Sequence, residues 1–323
     1  MLNLFPGFKL KSNTRNFNLM YEQLKDNNIS CPVCNSKAFK KTGKPEIEDK
    51  SLGFIRHNYF VAECSACNYY FVYPPIDFSI QEWNKLYGDS YFPQMTAWHK
   101  KQRVVDAKKR LDWIKSNCNF EIKNFLDVGC GEGLALVEAD SRGWSAEGID
   151  ITDNRIEPAK KDGIKFINAD LISSRFPGEY FDCAYMDSVL EHLTDPVAYL
   201  IELNRILKRN GVVYIGVPNE DSLFNIVKRI LYNLTGKKNI SSKIKPFMLP
   251  YHVGGFNKKS IIKIAQVTNF EVAATHNFAS RFEFRKYKPS AKGFWLHLFL
   301  LPVDLLAIIL RREAYYEALL KKQ

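Results

Sequence analysis

The chain has 323 residues, of which 46% are hydrophobic and 25% are charged. This composition excludes a disordered protein, and the length suits one main domain with additions. The formal net charge of +11 indicates an anionic partner, which leaves nucleic acid, anionic lipid and a phosphorylated substrate open. The first residues lack the apolar run of a secretory signal, so we expect a cytoplasmic protein with reduced cysteines.

Two Cys-x-x-Cys pairs follow a polar N-terminal stretch. They are Cys31 with Cys34 and Cys64 with Cys67. Each pair holds two thiolates around a tight turn, and two such turns complete a tetrahedral sulfur site for Zn²⁺. Four buried free cysteines are the alternative interpretation. The spacing favours a structural zinc ribbon, in which a site without an open ligand position carries out no chemistry.

A helical linker is predicted between the ribbon and the rest of the chain. Its basic residues are interpreted as a solvated helix face rather than a nucleic-acid-binding stripe. From residue 123 strands and helices alternate, which indicates an α/β fold with an open, mostly parallel sheet. Strands are predicted at 123–128, 145–149, 165–167, 180–186 and 212–217, and helices at 133–142, 153–161 and 195–208.

The first of these strands runs into Gly129-x-Gly131-x-Gly133, which is neither a dinucleotide fingerprint nor a P-loop. Glycines at a strand end allow a ligand to approach the backbone. Asp150 ends the second strand, where a carboxylate can accept hydrogen bonds from a ribose, and Asp170 ends the third, within reach of adenine. Because no basic residue awaits a phosphate, this pattern points to S-adenosylmethionine.

Five motifs occur in order over residues 123–276: FLDVGCGEG, EGIDI, NADL, YFDCAYMDSVLEHLTDP and LNRILKRNGVVYIGVPN. In this order and spacing they resemble the class I S-adenosylmethionine-dependent methyltransferases. The resemblance is to the branch that is like ubiquinone and menaquinone biosynthesis enzymes and includes polysaccharide-cluster members. It implies a Rossmann-like seven-stranded sheet with helices on both faces. Several members of this branch also begin with a similar Cys-x-x-Cys ribbon.

The resemblance assigns roles by position. The implied cofactor-binding residues are Asp127, Gly129, Gly131 and Gly133 for the methionyl end, Asp150 for the ribose, Ile151, Asp170 and Leu171 for the adenine, and Met186 and Asp187 near the sulfonium. His192 and His252 are the catalytic candidates, because a hydroxyl acceptor must lose a proton and histidine suits that task near neutral pH. A structural or cofactor-lining role is the alternative for these histidines. Glu132 receives no role.

A basic stretch follows the fifth strand. Residues 222–270 contain nine Lys or Arg and no acidic residue. The part within 219–256 is predicted to cover the acceptor site, where its charge would concentrate an anionic substrate. A solvated basic loop is the alternative.

The end of the chain combines basic residues with an apolar run at 294–310. Three interpretations stay open for this run: a membrane-spanning helix, an element lying on the inner membrane surface, and a helix packed on protein.

The predicted organisation is an α/β methyltransferase with additions at both ends. Its parts are an arm at 1–28, the zinc ribbon at 29–76, the helical linker at 77–122, the core at 123–280 with its cap at 219–256, and an apolar helical tail at 281–323. We expect O-methylation of an anionic saccharide, a lipid-linked glycan or a small metabolite. C- or N-methylation is the first alternative. A nucleic-acid binder with a degenerate fold is the second, and the intact acidic residues argue against it.

Overall fold

The computed structural model describes residues 29–47, 53–55, 58–79, 81–82, 85, 97–237, 239–248, 251–278 and 288–323. The predicted arm and the basic start of the predicted tail, at 281–287, lie outside the described residues. The strands are β1 (Phe39–Gly43), β2 (Phe60–Cys64), β3 (Tyr70–Tyr73), β4 (Asn124–Val128), β5 (Ser145–Asp150), β6 (Lys165–Asn168), β7 (Phe181–Asp187), β8 (Leu207–Pro218), β9 (Gly254–Gly255), β10 (Phe270–Phe278) and β11 (Tyr315–Lys322). The helices are α1 (Ala97–Ser116), α2 (Leu134–Ser141), α3 (Pro196–Ile206), α4 (Leu223–Leu234), α5 (Lys258–Val267) and α6 (Lys292–Ile309).

Seven strands form the large sheet in the order β10-β11-β8-β7-β4-β5-β6. The strands from β8 to β6 pair in parallel, and β11 is antiparallel to both of its neighbours. Alternate side chains of β4 enter apolar clusters on opposite faces, Phe125 with α1 and α2, and Leu126 with α3 and α5. The predicted Rossmann-like seven-stranded fold with helices on both faces is confirmed.

The end of the chain differs from the predicted helical tail. Helix α6 is followed by β11, which lies in the sheet between β8 and β10. Residues 316–320 are buried there, because this strand occupies an interior position of the sheet and has a neighbour on each side. The core therefore includes 315–322, which the predicted boundary at 280 left out.

One predicted helix is shorter in the structure than expected. The 153–161 segment forms only a 3₁₀ turn at Glu157–Lys160, with Pro158 in its first turn. Proline fixes its own φ and cannot donate a backbone hydrogen bond, which disfavours a continuous helix there.

The small sheet joins the predicted ribbon to the predicted cap. Strands β1, β2 and β3 are antiparallel neighbours, and β9 from the cap pairs with β3 as the fourth strand. An apolar cluster crosses the same boundary, with Tyr59 and Val61 of the ribbon packed with Ile244 and Phe247 of the cap. The ribbon and the cap are consequently one module, which we call the ribbon–cap module (29–79 and 239–256).

Candidate functional site

Four carboxylates lie at the edge of the large sheet where the parallel strands end. Asp127 is near the end of β4, Asp150 ends β5, Asp170 follows β6 and Asp187 ends β7. Burial raises the pKa of Asp127 well above its ordinary value, and the charges of Asp187 and Asp150 add to this effect. Such a cluster is stabilised by a positively charged ligand.

The glycine loop after β4 has left-handed backbone at Gly129, Gly131 and Gly133, with φ of +67°, +50° and +74°. A Cβ at Gly129 would lie 2.5 Å from Val189 Cγ2, and one at Gly133 would lie 2.6 Å from Ala159 Cβ. A Cβ at Gly131 would meet no atom within 4 Å. The loop therefore leaves space beside Gly131 for a ligand to approach the main chain.

Two side chains hold this loop in place. Gly131 N–H donates to Asp150 Oδ2 at 2.9 Å, and Thr152 N–H donates to Asp150 Oδ1 at 3.1 Å. Glu132, for which no role was predicted, forms an ion pair with Arg103 of α1. A carboxylate has about four acceptor positions, so Asp150 keeps capacity for a ligand hydroxyl.

The three residues predicted to contact adenine have different surroundings. The Ile151 side chain is open to a ligand, with the residue 70% exposed. Asp170 accepts hydrogen bonds from Ile172 N–H at 2.9 Å and from the Tyr199 hydroxyl. Leu171 is buried in the core cluster, because its place in a 3₁₀ turn directs the side chain inward. A side-chain contact between Leu171 and adenine does not agree with this burial.

Asp187 is held by one residue from α1 and one from the last strand. Arg110 of α1 donates to Asp187 Oδ2 at 2.7 Å, and the Tyr315 hydroxyl of β11 donates to Oδ1 at 2.8 Å. Burial raises the pKa of Asp187, and the Arg110 guanidinium opposes this rise. Met186 was predicted to line the same region, but it is fully buried in the core. It presents no surface at the sheet edge.

Arg110 and Tyr315 were missed by the sequence reasoning. Arg110 was interpreted as part of a solvated face, yet it also donates to Glu317 Oε1 at 3.0 Å. One signal was available, since Ala107 and Ile114 are buried and Arg110 lies three and four positions from them on the same helix face. The sequence of β11 offered no comparable signal for Tyr315.

The two predicted catalytic histidines come together with Glu191. The rings of His192 and His252 are 5.0 Å apart, and His252 Nε2 lies 3.8 Å from Glu191 Oε1. Neither Glu191 oxygen has a hydrogen-bond partner among the described residues. Burial raises the pKa of Glu191 to about 8. It also lowers the pKa of His192 to about 4 and that of His252 to about 3.

The effect of burial is to favour neutral forms in this cluster. At neutral pH both imidazoles are uncharged, so a ring nitrogen can accept a proton. The Val253 N–H donates to the Glu191 carbonyl at 2.9 Å, which ties the segment carrying His252 to the turn carrying Glu191. The arrangement places two neutral imidazoles side by side, and the same burial that keeps them neutral makes them weak bases until a bound acceptor changes their surroundings.

Some of the basic residues in the predicted cap are engaged in the protein itself. Lys237 pairs with Glu46 of the ribbon at 2.8 Å. Lys243 Nζ lies 3.9 Å from Glu220 Oε2 and donates to the Glu220 carbonyl. These two lysines are engaged by Glu46 of the ribbon and by Glu220 after β8, so the predicted basic cover is less available to an anion than its sequence indicated.

The four ribbon cysteines meet in one cluster. Cys31 Sγ and Cys67 Sγ are 3.6 Å apart, and Cys34 Sγ and Cys64 Sγ are 3.5 Å apart. All four sulfur atoms lie within 4.8 Å of one another. A tetrahedral site with Zn–S bonds of about 2.3 Å requires S–S separations of about 3.8 Å. The thiols fit a structural zinc ion closely.

A cavity of about 200 Å³ separates the ribbon from the turn after β7. Aromatic side chains of the ribbon, Tyr69, Phe71 and Tyr73, line one side, and Leu193 and Thr194 line the other. Another cleft, of about 350 Å³, lies at the opposite end of the strands, near residues 208–211. Of these two, the first is lined by sequence neighbours of the histidines, since Leu193 follows His192 and Val253 follows His252.

Comparison with known proteins identifies the family. The profile of a family described as Methyltransferase domain matches residues 97–275. The chain belongs to this methyltransferase family. Together with the fold, this makes it an S-adenosylmethionine-dependent methyltransferase.

Its relatives include proteins named ubiquinone biosynthesis O-methyltransferase. The one from Pseudomonas aeruginosa is 24% identical over 173 residues, which cover 49% of the methyltransferase and 72% of the relative. The one from Dechloromonas aromatica is 29% identical over 120 residues, covering 35% and 51%.

Among solved structures, a methyltransferase from Archaeoglobus fulgidus is 18% identical and has a TM-score of 0.47, covering 76% of this chain and 100% of its own. An N1-methyltransferase of 1,6-didemethyltoxoflavin from Burkholderia thailandensis is 13% identical, with a TM-score of 0.48 and coverage of 84% and 98%. TM-scores this low carry no information about the reaction that the present chain catalyses.

The spanning interpretation of the apolar run does not hold for the described residues. None of the helices in that part of the chain combines the length and apolar character that crossing a bilayer requires.

Proposed function

We propose that this methyltransferase methylates a hydroxyl group of an anionic saccharide, a lipid-linked glycan or a small metabolite in the cytoplasm. The observation that carries the proposal is the half-buried imidazole of His252, whose Nε2 lies 3.8 Å from Glu191 Oε1. A hydroxyl must lose its proton during methyl transfer, and a positioned neutral histidine can accept it. The names of the relatives, which are O-methyltransferases, support the same reaction.

The cofactor half of the site is assigned to the carboxylates and the glycine loop. S-adenosylmethionine supplies the methyl group and brings a sulfonium and an ammonium charge. Asp127 and the open backbone at Gly131 bind the methionyl end, Asp150 binds the ribose, and Ile151 and Asp170 face the adenine. Positive charge offsets the burial, and the repulsion from Asp187 and Asp150, that raise the pKa of Asp127, which supports a cationic ligand at this edge.

The protein contributes alignment, exclusion of water and proton removal. Methyl transfer is an in-line displacement, so its rate depends on holding the acceptor oxygen in line with the methyl group. Arg110 and Tyr315 fix Asp187 near the reacting centre. His252 accepts the hydroxyl proton, and the Glu191 carboxyl group lies 3.8 Å from its Nε2. His192 packs edge-on against His252 and lines the site.

Lys245 is the residue we assign to the charge of the acceptor. Burial and the neighbouring His192 lower the pKa of His252, and the positive charge of Lys245 adds to this effect. An anionic group bound at Lys245 would offset that charge. The zinc ribbon supports this side of the site through β9.

The test replaces the proposed base. Without a proton acceptor, the His252→Ala variant should lose about 100-fold or more in turnover. S-adenosylhomocysteine affinity, measured by titration calorimetry, should change less than about threefold, because His252 lies outside the proposed cofactor half. Radiolabelled methyl transfer is measured with matched anionic and neutral glycosides. Near-normal turnover in the variant would remove His252 as the base, and equal, salt-independent activity on both glycosides would remove the anionic acceptor.

A further inference from the structure

Helices α4 and α6 pack against each other and leave large apolar side chains in solvent. The exposed residues, each between 46% and 77% accessible, are Phe224, Ile230, Leu231, Leu234, Trp295, Leu305, Leu306, Ile309 and Leu310. We call them the apolar face. A soluble monomer rarely leaves so many large apolar side chains together on its surface. This concentration indicates a contact that the isolated chain does not make.

The spacing shows that each helix exposes a row. Phe224, Leu231 and Leu234 lie seven and three positions apart along α4, which places them on one side of the helix. Leu305 and Ile309 of α6 are four positions apart and also share a side. Trp295, whose indole N–H donates to the Pro289 carbonyl, adds an aromatic side chain typical of membrane interfaces.

Basic residues border the apolar face. Arg229 on α4, Lys292 at the start of α6, and Arg311 and Arg312 directly after α6 are exposed. In the sequence of these two helices, Asp304 is the one acidic residue. A second protein copy would offer the same positive charges and be repelled, whereas anionic lipid headgroups complement them.

The apolar face is fixed to the edge of the sheet that carries the site. Leu223 N–H, at the start of α4, donates to the Arg312 carbonyl at 2.8 Å. Asn219 N–H donates to the Ala314 carbonyl at 2.9 Å. The next residue is Tyr315, which binds Asp187. If the protein docks on a surface through α4 and α6, the site near Asp187 is therefore held close to that surface.

We propose that α4 and α6 together dock on an anionic lipid bilayer and lie in the plane of its interface. This goes beyond the predicted contact through the tail, because α4 supplies half of the surface. It also selects the lipid-linked acceptor from the classes proposed above, and that selection rests on the proposed function. Docking itself does not depend on the reaction.

The experiment is co-sedimentation of the full chain with vesicles. Vesicles of phosphatidylcholine and phosphatidylglycerol in equal parts are compared with phosphatidylcholine alone, at low and high salt. We expect binding to the anionic vesicles that weakens at high salt. Leu234→Ser with Ile309→Ser removes two of the most exposed apolar residues, and we expect at least about a tenfold loss of binding. Arg311→Gln with Arg312→Gln should weaken binding to the anionic vesicles by about tenfold and reduce its salt dependence.

The matched control is Ile201→Ser with Val267→Ser, two exposed apolar residues on α3 and α5, outside the apolar face. It should bind vesicles like the unaltered chain, and all variants should keep the same melting temperature. Failure of the unaltered chain to bind anionic vesicles overturns the inference, as does normal binding by Leu234→Ser with Ile309→Ser. A dimer that the same variant disrupts, without vesicle binding, would identify a second copy as the occupant and also overturn it. S-adenosylhomocysteine binding and methyl transfer to a soluble acceptor test the proposed function separately.

Discussion

Glu191 is a carboxyl group buried without a hydrogen-bond partner among the described residues. Burial raises its pKa from 4.5 to about 8, so the folded protein holds a proton that the unfolded chain releases above about pH 4.5. The contribution to stability is therefore fully present below pH 4.5 and is lost as the pH rises through 8. His192 and His252, whose pKa values are lowered, act in the opposite direction, at lower pH.

Replacement of Glu191 by Gln should remove this pH dependence. Between pH 5 and pH 8, the unfolding free energy of the unaltered chain should fall relative to that of Glu191→Gln, by up to about 1.4 kcal/mol per pH unit. Urea titrations across this range provide the measurement. Glu271→Gln, at an exposed position of β10, is the control and should keep the dependence of the unaltered chain. Parallel curves for Glu191→Gln and the unaltered chain would contradict the raised pKa.

The glycine loop allows binding and stability to be separated. Gly131→Ala should cost about 1–2 kcal/mol through its left-handed backbone and should weaken S-adenosylhomocysteine binding, because the new Cβ points into open space beside the loop. Gly133→Ala has the same backbone cost and an added clash with Ala159, so it should be the less stable variant. Calorimetric titration and thermal melts give both quantities. Unchanged affinity in Gly131→Ala would place the cofactor elsewhere.

The residues of the site differ in how well the sequence predicted them. Asp127, Asp150 and Asp170 lie at or just after strand ends, and strand ends are visible in the sequence, so their place at one edge could be anticipated. Leu171 and Met186 were assigned by position in a motif, but the direction of a side chain depends on the turn or strand face that carries it. The sequence therefore predicted which segments lie at this edge, but not which side chains in them face it.

At the scale of elements, the ribbon–cap module changes the interpretation of both of its parts. Strand β9 pairs with β3, and His252 lies two positions before β9. Asn257 adds a second connection, since its side-chain amide donates to the Asn68 carbonyl at 2.9 Å. The ribbon consequently supports the segment that carries the proposed base. A cysteine spacing predicts a metal site, but it does not predict which distant segment will join the sheet beside it.

Loss of the metal site should affect this segment first. In Cys64→Ser, the zinc content measured by mass spectrometry should fall from one ion per chain to none, because structural zinc sites need their full ligand set. Amide exchange should accelerate at residues 251–256. S-adenosylhomocysteine affinity should stay within about threefold, since the cofactor half belongs to the large sheet. Cys118→Ser, at a half-buried cysteine outside the cluster, is the control. Unchanged exchange at 251–256 would show that the ribbon does not support the cap.

At the scale of the whole molecule, the last strand closes the fold. Strand β11 pairs with β8 on one side and β10 on the other, and its Tyr315 and Glu317 bind Asp187 and Arg110. Helix α1, the middle of the sheet and the last strand are thus connected through one polar group of residues, in which Glu317 is buried and the others are half-buried. Removing one member of such a group leaves the others buried and unpaired.

A truncated chain that ends at residue 291 should therefore fail to fold cooperatively. Without β11, the edges of β8 and β10 lose their hydrogen-bond partners and their apolar cover. Circular dichroism melts and limited proteolysis would detect the loss. A chain ending at residue 322 retains β11 and should behave like the full chain. A cooperative melt by the shorter fragment would show that β11 is dispensable.

The sequence alone determined the α/β class, the methyltransferase family, the acidic and glycine residues at the carboxyl edge of the sheet, and the cysteine cluster. These features depend on residues close together in the chain, where strand ends, turns and short spacings carry the information. The tertiary structure decided which distant segments surround that edge. Arg110 and Glu317, which meet in the fold, are separated by 207 positions, and the pairing of β9 with β3 joins Tyr70 and Gly255, which are 185 positions apart. Such contacts arise when the sheet closes and buries its edges, and no local pattern in the chain encodes them.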